Sequence, residues 1–244
     1  MSGALTVLKI GGSVLTGDRA YRLAAAFIAA RVAAFPAQRI VAVVSAALGA
    51  TDALLRTARE IVDTPAPAAL DLLWSTGELR SAALLALSLQ AVGVHATAIN
   101  VHQTGLVHDD EAGRPGASRV RPLRLRALLA DHDVVVAPGF LARGGADAVV
   151  SLGRGGSDLT AVLLAASLGA RCELVKDVPG YFSADPKRDP EARPLASLSY
   201  ARAIEMADDG CELVQRHALE AAREHRVPLV VSAIGQEQGT EING

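Results

Sequence analysis

Residues 151–158 read Ser-Leu-Gly-Arg-Gly-Gly-Ser-Asp and are the stretch that decides the fold of this chain. They join a short segment with two adjacent valines (146–152) to a segment rich in alanine and leucine (157–168). The pattern predicts a strand for the first segment and a helix for the second. Another short apolar run (172–176) is predicted as a strand, so this region is a strand–helix–strand unit with a glycine-rich turn.

Short apolar runs and helical segments alternate along the rest of the chain. Strands are predicted at 5–10, 39–45, 95–101, 133–138 and 227–232. Helices are predicted at 19–35, 50–62, 68–92, 122–130, 200–208 and 212–225. This alternation predicts an α/β fold with a mostly parallel sheet covered on both faces. Without an internal repeat or a clear linker, we expect one domain over residues 1–244, with lobes of about 1–150 and 151–244.

The composition argues against several classes of protein. Half of the 244 residues are hydrophobic, 3% are aromatic, and the formal net charge is −2. A nucleic-acid-binding face would need clustered basic residues, and the charges here are spread along the chain. The longest apolar runs are too short to cross a bilayer, and the N-terminus does not resemble a signal peptide. We therefore expect a cytoplasmic protein with no nucleic-acid or membrane partner.

Lysine is rare in this sequence. Of 24 basic residues, all are arginine except Lys9, Lys176 and Lys187. An ammonium group is a compact charge suited to phosphate oxygens, whereas the guanidinium group is a wide planar fork. The three lysines all fall within the motifs below, which favours a functional reason over chance among few residues.

The first motif is Lys-Ile-Gly-Gly-Ser at 9–13, directly after the first predicted strand. Glycines at a strand end let the backbone N–H groups approach a phosphate closely. A neighbouring lysine can stabilise charge during phosphoryl transfer. The alternative is an ordinary turn with a surface lysine, because this motif alone is a weak signal.

The second motif is the glycine-rich turn at 153–158. It opens a helix, whose N-terminus favours an anion, and Arg154 can bind a carboxylate through two hydrogen bonds. Ser157 or Asp158 would serve as an N-cap in the alternative interpretation. Three glycines around an arginine are more than a cap requires, so we favour the functional interpretation.

Two further segments contain polar side chains that suggest a binding role. The loop 177–187 follows a strand, at the edge where α/β folds bind nucleotides; Phe182 suits a purine and Lys187 a phosphate. Glu78 lies in an otherwise apolar helix, which fits a carboxylate that faces an ammonium group. A surface loop and a solvent-facing glutamate are the alternatives. Ser45, Thr51 and Asp52 either bind a small anion or cap a helix.

Taken in order, these motifs resemble the aspartokinases of the amino-acid-kinase superfamily. The most specific blocks are 151–158, 177–180 and 184–186, and the resemblance extends from Lys9 to about Ile242. It implies a three-layer αβα sandwich that binds ATP, Mg²⁺ and an amino acid along the carboxyl edge of the sheet. The implied reaction is phosphorylation of a carboxyl group, most simply that of L-aspartate to 4-phospho-L-aspartate, by a homodimer in amino-acid biosynthesis.

The resemblance also implies roles for particular residues. Lys9 and Asp158 would be catalytic, with Lys9 on the transferring phosphoryl group and Asp158 orienting that lysine. The amino acid would be surrounded by Ser45, Thr51, Glu78, Phe140, Arg154 and Ser157. The nucleotide would be bound by Gly11, Gly12, Ser13, Lys176, Asp177, Phe182, Asp185 and Lys187. No residue is assigned to a metal.

The sequence departs from the aspartokinase pattern in several places. The opening Lys-Ile-Gly-Gly-Ser also looks like isopentenyl phosphate and uridylate kinases, but the glycine-rich loop that those relatives carry after the second strand is missing from 45–51. Glu212 stands where the family usually has a lysine near the ATP phosphates, so we expect it to repel phosphate unless Arg216 compensates. No regulatory ACT domain is expected. A kinase of a related carboxylic or phosphonic acid, or a non-catalytic binding subunit, remains an alternative.

Overall fold

The computed structural model describes residues 5–108, 118–186, 188–236 and 239–244. The strands are β1 (Leu5–Ile10), β2 (Arg39–Val44), β3 (Ala96–Ala98), β4 (Leu106–His108), β5 (Ser118–Val120), β6 (Val134–Pro138), β7 (Leu141–Arg143), β8 (Val149–Ser151), β9 (Arg171–Lys176), β10 (Ser197–Ser199), β11 (Leu229–Ala233) and β12 (Thr240–Asn243). The helices are α1 (Asp18–Ala34), α2 (Ala50–Ile61), α3 (Pro67–Ala91), α4 (Val101–Thr104), α5 (Leu123–Asp131), α6 (Gly156–Leu168), α7 (Tyr200–Asp208) and α8 (Arg216–Glu224).

The main sheet has eight strands in the order β10-β12-β11-β9-β1-β2-β6-β3. All neighbouring pairs are parallel except β11 and β12. The most buried strands, β1, β2 and β6, are continuous apolar runs, as expected for strands covered on both faces. The predicted α/β fold with a mostly parallel sheet is confirmed.

Helices cover the two faces of this sheet in separate clusters. On β1, Leu8 and Ile10 pack with residues of α1 and α3, whereas Val7 packs in the cluster that contains α6, α7 and α8. Successive side chains of a strand point to opposite faces, so each strand contributes to both clusters. The result is the predicted αβα arrangement, and Lys9 lies on the same face as Val7, towards α6.

A smaller sheet of four strands, in the order β5-β4-β7-β8, was not predicted, although β8 lies within the strand predicted at 146–152. β4, β5 and β7 have three residues each, which is too short for a recognisable alternation of polar and apolar residues. The segment predicted as a loop or hairpin between β4 and β5 lies largely outside the described residues.

Three predicted elements are much shorter than expected, and one of them is the strand predicted at 146–152, which is reduced to β8. The strand predicted at 95–101 is reduced to β3 because Asn100 starts α4 with a capping box, in which its side chain accepts from the Gln103 N–H. The helix predicted at 212–225 begins only at Arg216. Within the described part of the chain, no helix has the length and apolar character needed to cross a membrane.

Candidate active site

A cleft of about 290 Å³ lies at the carboxyl ends of β1 and β2, beside the N-terminus of α6. This volume suits a small polar ligand or part of a larger one. Nine of the sequence-predicted site residues line it: Lys9, Gly12, Ser13, Ser45, Thr51, Glu78, Phe140, Ser157 and Asp158. Residues that the sequence placed far apart along the chain therefore share one cavity.

Lys9 and Asp158 line the cleft, and with Lys176, which lies outside the cleft lining, they form a buried charge cluster that we call the Lys9–Asp158–Lys176 triad. The Lys9 Nζ lies 2.8 Å from Asp158 Oδ1, and the Lys176 Nζ donates to Asp158 Oδ2 at 2.7 Å. The predicted pair of Lys9 and Asp158 is thus in direct contact. Lys176 had been predicted only as a nucleotide contact, and its place in this cluster was missed.

The electrostatics of the triad follow from its burial. Burial alone raises the pKa of the Asp158 carboxyl, but the two ammonium groups outweigh it and hold that pKa below its ordinary value. Burial, together with the charge of Lys9, lowers the pKa of Lys176, although Asp158 opposes the shift. Asp158 is therefore an ionised carboxylate that orients two cations.

The glycine turn after β1 is required by close backbone contacts. A Cβ atom at Gly12 would lie 2.7 Å from the Ala46 carbonyl oxygen. A Cβ atom at Gly11 would lie 3.2 Å from the Val175 carbonyl oxygen and 3.4 Å from the Lys9 Nζ. The absence of side chains here keeps the space beside the lysine open, which is what an approaching phosphate needs.

Glu78 lines the same cleft and belongs to α3. Its Oε1 accepts from the Ala46 backbone N–H at 3.2 Å, while its Oε2 is buried without a hydrogen-bond partner among the described residues. Burial raises the Glu78 pKa to about 7, although the Ala46 N–H opposes the shift. Gly77 lets α3 approach the segment that follows β2, since a Cβ there would lie 3.0 Å from Ala46 Cβ. The carboxylate is positioned to receive a cationic group.

Phe140 has a strained backbone, with a φ of 69° in the left-handed region that favours glycine. Its ring meets the Trp74 ring edge-on, with the centroids 5.9 Å apart. The conformation places Phe140 against the start of α6, where a Cβ atom at Gly156 would lie 3.1 Å from the Phe140 ring. The strain thus holds an aromatic side chain at the border of the cleft.

Arg154 lies away from the cleft lining and is exposed. Its Nη2 contacts Glu212 Oε2 at 2.7 Å, so the residue predicted to repel phosphate is paired with the residue predicted to bind the acceptor. Arg216, predicted to compensate for Glu212, pairs instead with Asp208 and Glu220. The expected repulsion between Glu212 and phosphate therefore stays a prediction.

Only the beginning of the loop after β9 contacts a residue that lines the cleft. Asp177 accepts from the Ser13 hydroxyl at 2.9 Å, which ties this loop to the glycine turn. Phe182 is half-buried and forms an isolated bridge with Pro194, and Asp185 is exposed; neither lines the cleft. The predicted nucleotide contact Lys187 lies outside the described residues.

Comparison with known proteins places this geometry in a family. The model of the amino acid kinase family matches residues 4–232 of the chain. The chain belongs to the amino acid kinase family.

Known aspartokinases resemble this amino acid kinase over nearly its whole length. The Mycobacterium tuberculosis (strain ATCC 25618 / H37Rv) aspartokinase is 37% identical over 246 residues, which is 99% of this chain and 58% of the relative. The Thermus thermophilus aspartokinase is 37% identical over 242 residues, 97% of this chain and 58% of that protein. This chain thus spans somewhat more than half the length of these relatives.

Solved structures agree with the family and its fold. The aspartate kinase of Synechocystis superposes with a TM-score of 0.88 at 34% identity, over 99% of this chain and 40% of that one. Aspartokinase III of E. coli, in complex with aspartate and ADP, superposes with a TM-score of 0.83 at 25% identity, over 98% of this chain and 64% of that one. The predicted resemblance to aspartokinases is confirmed.

Several site features were not predicted. Trp74 was missed because a tryptophan in an apolar helix looks like an ordinary core residue. The Ala46 N–H, which holds Glu78, leaves no signal in a side-chain pattern. Asp52, predicted with Ser45 and Thr51 to bind a small anion or to cap a helix, lines the cleft as well. Within the described ranges, no group of three or more His, Cys, Asp or Glu residues is arranged to hold a metal ion.

Proposed function

We propose that this amino acid kinase transfers the γ-phosphoryl group of ATP to a carboxylate, and that the acceptor is L-aspartate. The observation that carries the proposal is that Lys9, Asp158 and Glu78 line one cleft, with Lys176 in contact with Asp158. Phosphoryl transfer needs cations where negative charge accumulates, and an amino acid needs a carboxylate for its ammonium group. The similarity to aspartokinase III of E. coli, whose structure contains aspartate and ADP, supports both ligands.

In this reaction an oxygen of the acceptor carboxylate attacks the γ-phosphorus atom. The bond from that phosphorus to the oxygen bridging the β-phosphorus breaks, and its electron pair leaves with ADP. The acceptor is already ionised, so no base has to remove a proton. Lys9 stabilises the transferring group, and Asp158 holds Lys9 in place. The enzyme therefore acts mainly by positioning and by electrostatic stabilisation.

We assign binding of the amino acid to the part of the cleft that Glu78 lines. Glu78 offers the unpaired Oε2 to the α-ammonium group, and this ion pair would favour the ionised form of Glu78. Arg154 binds the α-carboxylate only after exchanging Glu212 for the substrate. The remaining polar contacts are assigned to Ser45, Thr51 and Ser157, with Phe140 as an apolar wall.

We assign nucleotide binding to the glycine turn after β1 and the loop after β9. Gly11, Gly12 and Ser13 form the turn that approaches the phosphates, and Asp177 orients Ser13. Phe182, Asp185 and Lys187 would lie further along the nucleotide. Both oxygens of Asp158 contact ammonium groups, so Mg²⁺ enters as part of the Mg·ATP substrate.

A direct assay tests the proposal. Purified protein is incubated with Mg·ATP and L-aspartate, ADP is measured by a coupled assay, and hydroxylamine traps the acyl phosphate as the hydroxamate. We expect both signals, and both should disappear when aspartate is omitted. ADP without hydroxamate would show hydrolysis in place of carboxyl transfer and would contradict the proposal.

A related acceptor is the second candidate, and the contact between Glu212 and Arg154 favours it. Glu212 neutralises the guanidinium group that an α-carboxylate would use. A panel of amino-bearing carboxylic and phosphonic acids, assayed for ADP formation, separates the candidates. Turnover with an analogue and none with aspartate would replace aspartate as the acceptor.

We further propose a cytoplasmic homodimer. The resemblance supports this assembly, as do the large exposed apolar side chains Ile61, Leu72 and Leu87 on α2 and α3. Light scattering coupled to size exclusion measures the mass: twice 25.2 kDa is expected, and a monomer at micromolar concentration would refute the dimer.

A further inference from the structure

Lys176 occupies the last position of β9, on the sheet face that α6 covers. β9 lies beside β1 in parallel register, with Lys9 level with Leu174. Side chains alternate along a strand, and Leu174 belongs to the cluster on the α6 side, so Lys176 lies on that side too. Two neighbouring strands therefore bring two ammonium groups to the first turn of one helix.

The triad carries more positive than negative charge in a buried place. The side chains of Lys9, Lys176 and Asp158 are only 7%, 11% and 4% exposed. One carboxylate cannot neutralise two cations, and water cannot solvate the remainder well at this depth. An anion that enters the cleft would remove the imbalance, so the triad is built to receive one.

The order of the strands gives the two lysines different neighbours. β1 lies between β9 and β2 in the sheet. Ser45 and Ala46 follow β2, and Ala46 holds Glu78, so the acceptor side lies beyond β2. Lys9, on the middle strand, lies between the acceptor side and Lys176. This spatial order across the sheet matches the in-line order of acceptor, transferring phosphoryl group and leaving group.

We propose that Lys176 is a second catalytic lysine, which contacts the leaving-group side of the transferring phosphoryl group. The inference rests on the proposed function and deepens it. As the acceptor oxygen bonds to the γ-phosphorus, the bond to the bridging oxygen breaks and its electron pair stays with ADP. The ammonium group of Lys176 stabilises charge on that oxygen and keeps its proton. Lys9 contacts the γ-phosphoryl oxygens, and Asp158 fixes the positions of both ammonium groups through its two oxygens.

The first test compares Lys176→Met with the matched control Arg171→Met. Arg171 lies at the other end of β9, is exposed and pairs with Glu241. We expect Lys176→Met to lower kcat by about 10²–10³-fold, with the KM for the acceptor changed less than about 3-fold. The control should keep wild-type kcat. An unchanged kcat in Lys176→Met would overturn the proposal.

The pH profile separates catalysis from a structural role. The charged groups facing Lys176 are Asp158 from α6 and Lys9 from β1, and His217 on α8 is held towards its neutral form by burial, which lowers its pKa. Because burial also lowers the Lys176 pKa, wild-type kcat should fall on the alkaline side as this ammonium loses its proton. Lys176→Arg keeps its charge, so its alkaline limb should shift upwards. An alkaline limb identical to that of the wild type would contradict the proposal.

Nucleotide titration distinguishes failure of this proposal from failure of the proposed function. Calorimetry measures ATP and AMP binding to the wild type and to Lys176→Met. We expect about 10-fold weaker ATP binding and AMP binding unchanged within about 2-fold, because AMP lacks the phosphates that Lys176 contacts. Equal losses for both nucleotides would refute the role of Lys176. Wild-type protein that binds ATP but phosphorylates no acceptor would refute only the proposed function.

Discussion

Two ion pairs in this molecule each join a basic side chain to a carboxylate, but one pair is buried and the other is exposed to solvent. The Lys9 and Asp158 side chains are 7% and 4% exposed, whereas those of Arg154 and Glu212 are 74% and 63% exposed. Water and salt screen the exposed pair, so its partners separate at little cost. Water and salt do not screen a buried pair in this way, so loss of one partner leaves the other charge uncompensated. The buried cluster therefore fixes the site's charge, while the exposed pair can exchange partners.

The largest expected effect comes from Asp158→Asn, which keeps the side-chain shape and removes the charge. Two ammonium groups then lie together without a carboxylate. We expect a loss of about 3–5 kcal/mol in the free energy of unfolding, measured by urea denaturation. Turnover should fall at least about 10²-fold. Asp147→Asn removes an exposed partner of Arg143 and is the control, expected to stay within about 0.5 kcal/mol of the wild type. Equal unfolding free energies for the two variants would contradict the claim that the buried pair matters more for stability than the exposed one.

Lys9→Ala should separate turnover from folding. The variant keeps Asp158 paired with Lys176, so the remaining cluster is neutral. We expect kcat to fall about 10²–10³-fold, with a cooperative unfolding transition and unchanged circular dichroism. Kinetics and thermal denaturation on the same preparation measure both. Wild-type turnover in this variant would refute the catalytic role of Lys9.

Glu78 predicts a pH dependence with a definite sign. Its pKa is raised from the ordinary value of 4.5 to about 7, so the folded protein binds this proton more tightly than the unfolded chain. Its contribution to stability is present below pH 4.5 and is lost as pH rises towards 7. We expect the ligand-free protein to lose about 2–3 kcal/mol over this window relative to Glu78→Gln, measured by denaturation at several pH values. A difference between the two proteins that is independent of pH would show that Glu78 does not titrate there.

The same variant sharpens the assignment of Glu78 to the amino group. The acceptor KM of the wild type should rise as pH falls below about 7, because the carboxylate gains a proton. Glu78→Gln should raise this KM about 10–100-fold at pH 8 and remove the acidic dependence. A pH-dependent KM in the variant would assign the proton to another group.

The smallest expected effect comes from Glu212→Gln. Removing the exposed carboxylate frees Arg154 for the acceptor, so we expect the aspartate KM to fall about 2–5-fold and the unfolding free energy to change by less than about 1 kcal/mol. Glu205→Gln, which breaks an exposed contact with Arg202, is the matched control and should leave the KM unchanged. A rise in KM for Glu212→Gln would show that the glutamate supports binding.

Much of the architecture could be predicted from the sequence because it rests on local patterns. Continuous apolar runs indicated β1, β2 and β6, and glycine-rich turns indicated the carboxyl edge of the sheet. Parallel strands end at one edge, so motifs at their ends meet in space. The smaller sheet could not be predicted, since three-residue strands have too short a pattern.

The site was predictable in its residues and less so in its contacts. The first motif indicates Lys9 and the resemblance to aspartokinases adds Asp158, but the place of Lys176 depends on the register between β9 and β1, which a single sequence does not contain. The contact between Arg154 and Glu212 joins two segments that are remote in the chain. The conformation of Phe140 is set by surrounding packing, because phenylalanine itself disfavours a positive φ.

The most direct test of the central claim is phosphorus NMR of Mg·ATP and L-aspartate incubated with the wild type and with Lys9→Ala. The buried triad beside Glu78 predicts an acyl-phosphate resonance that grows with the ADP signals in the wild type and is absent from the variant over the same period. ADP formation without an acyl phosphate in the wild type, or equal acyl phosphate from both proteins, would contradict it.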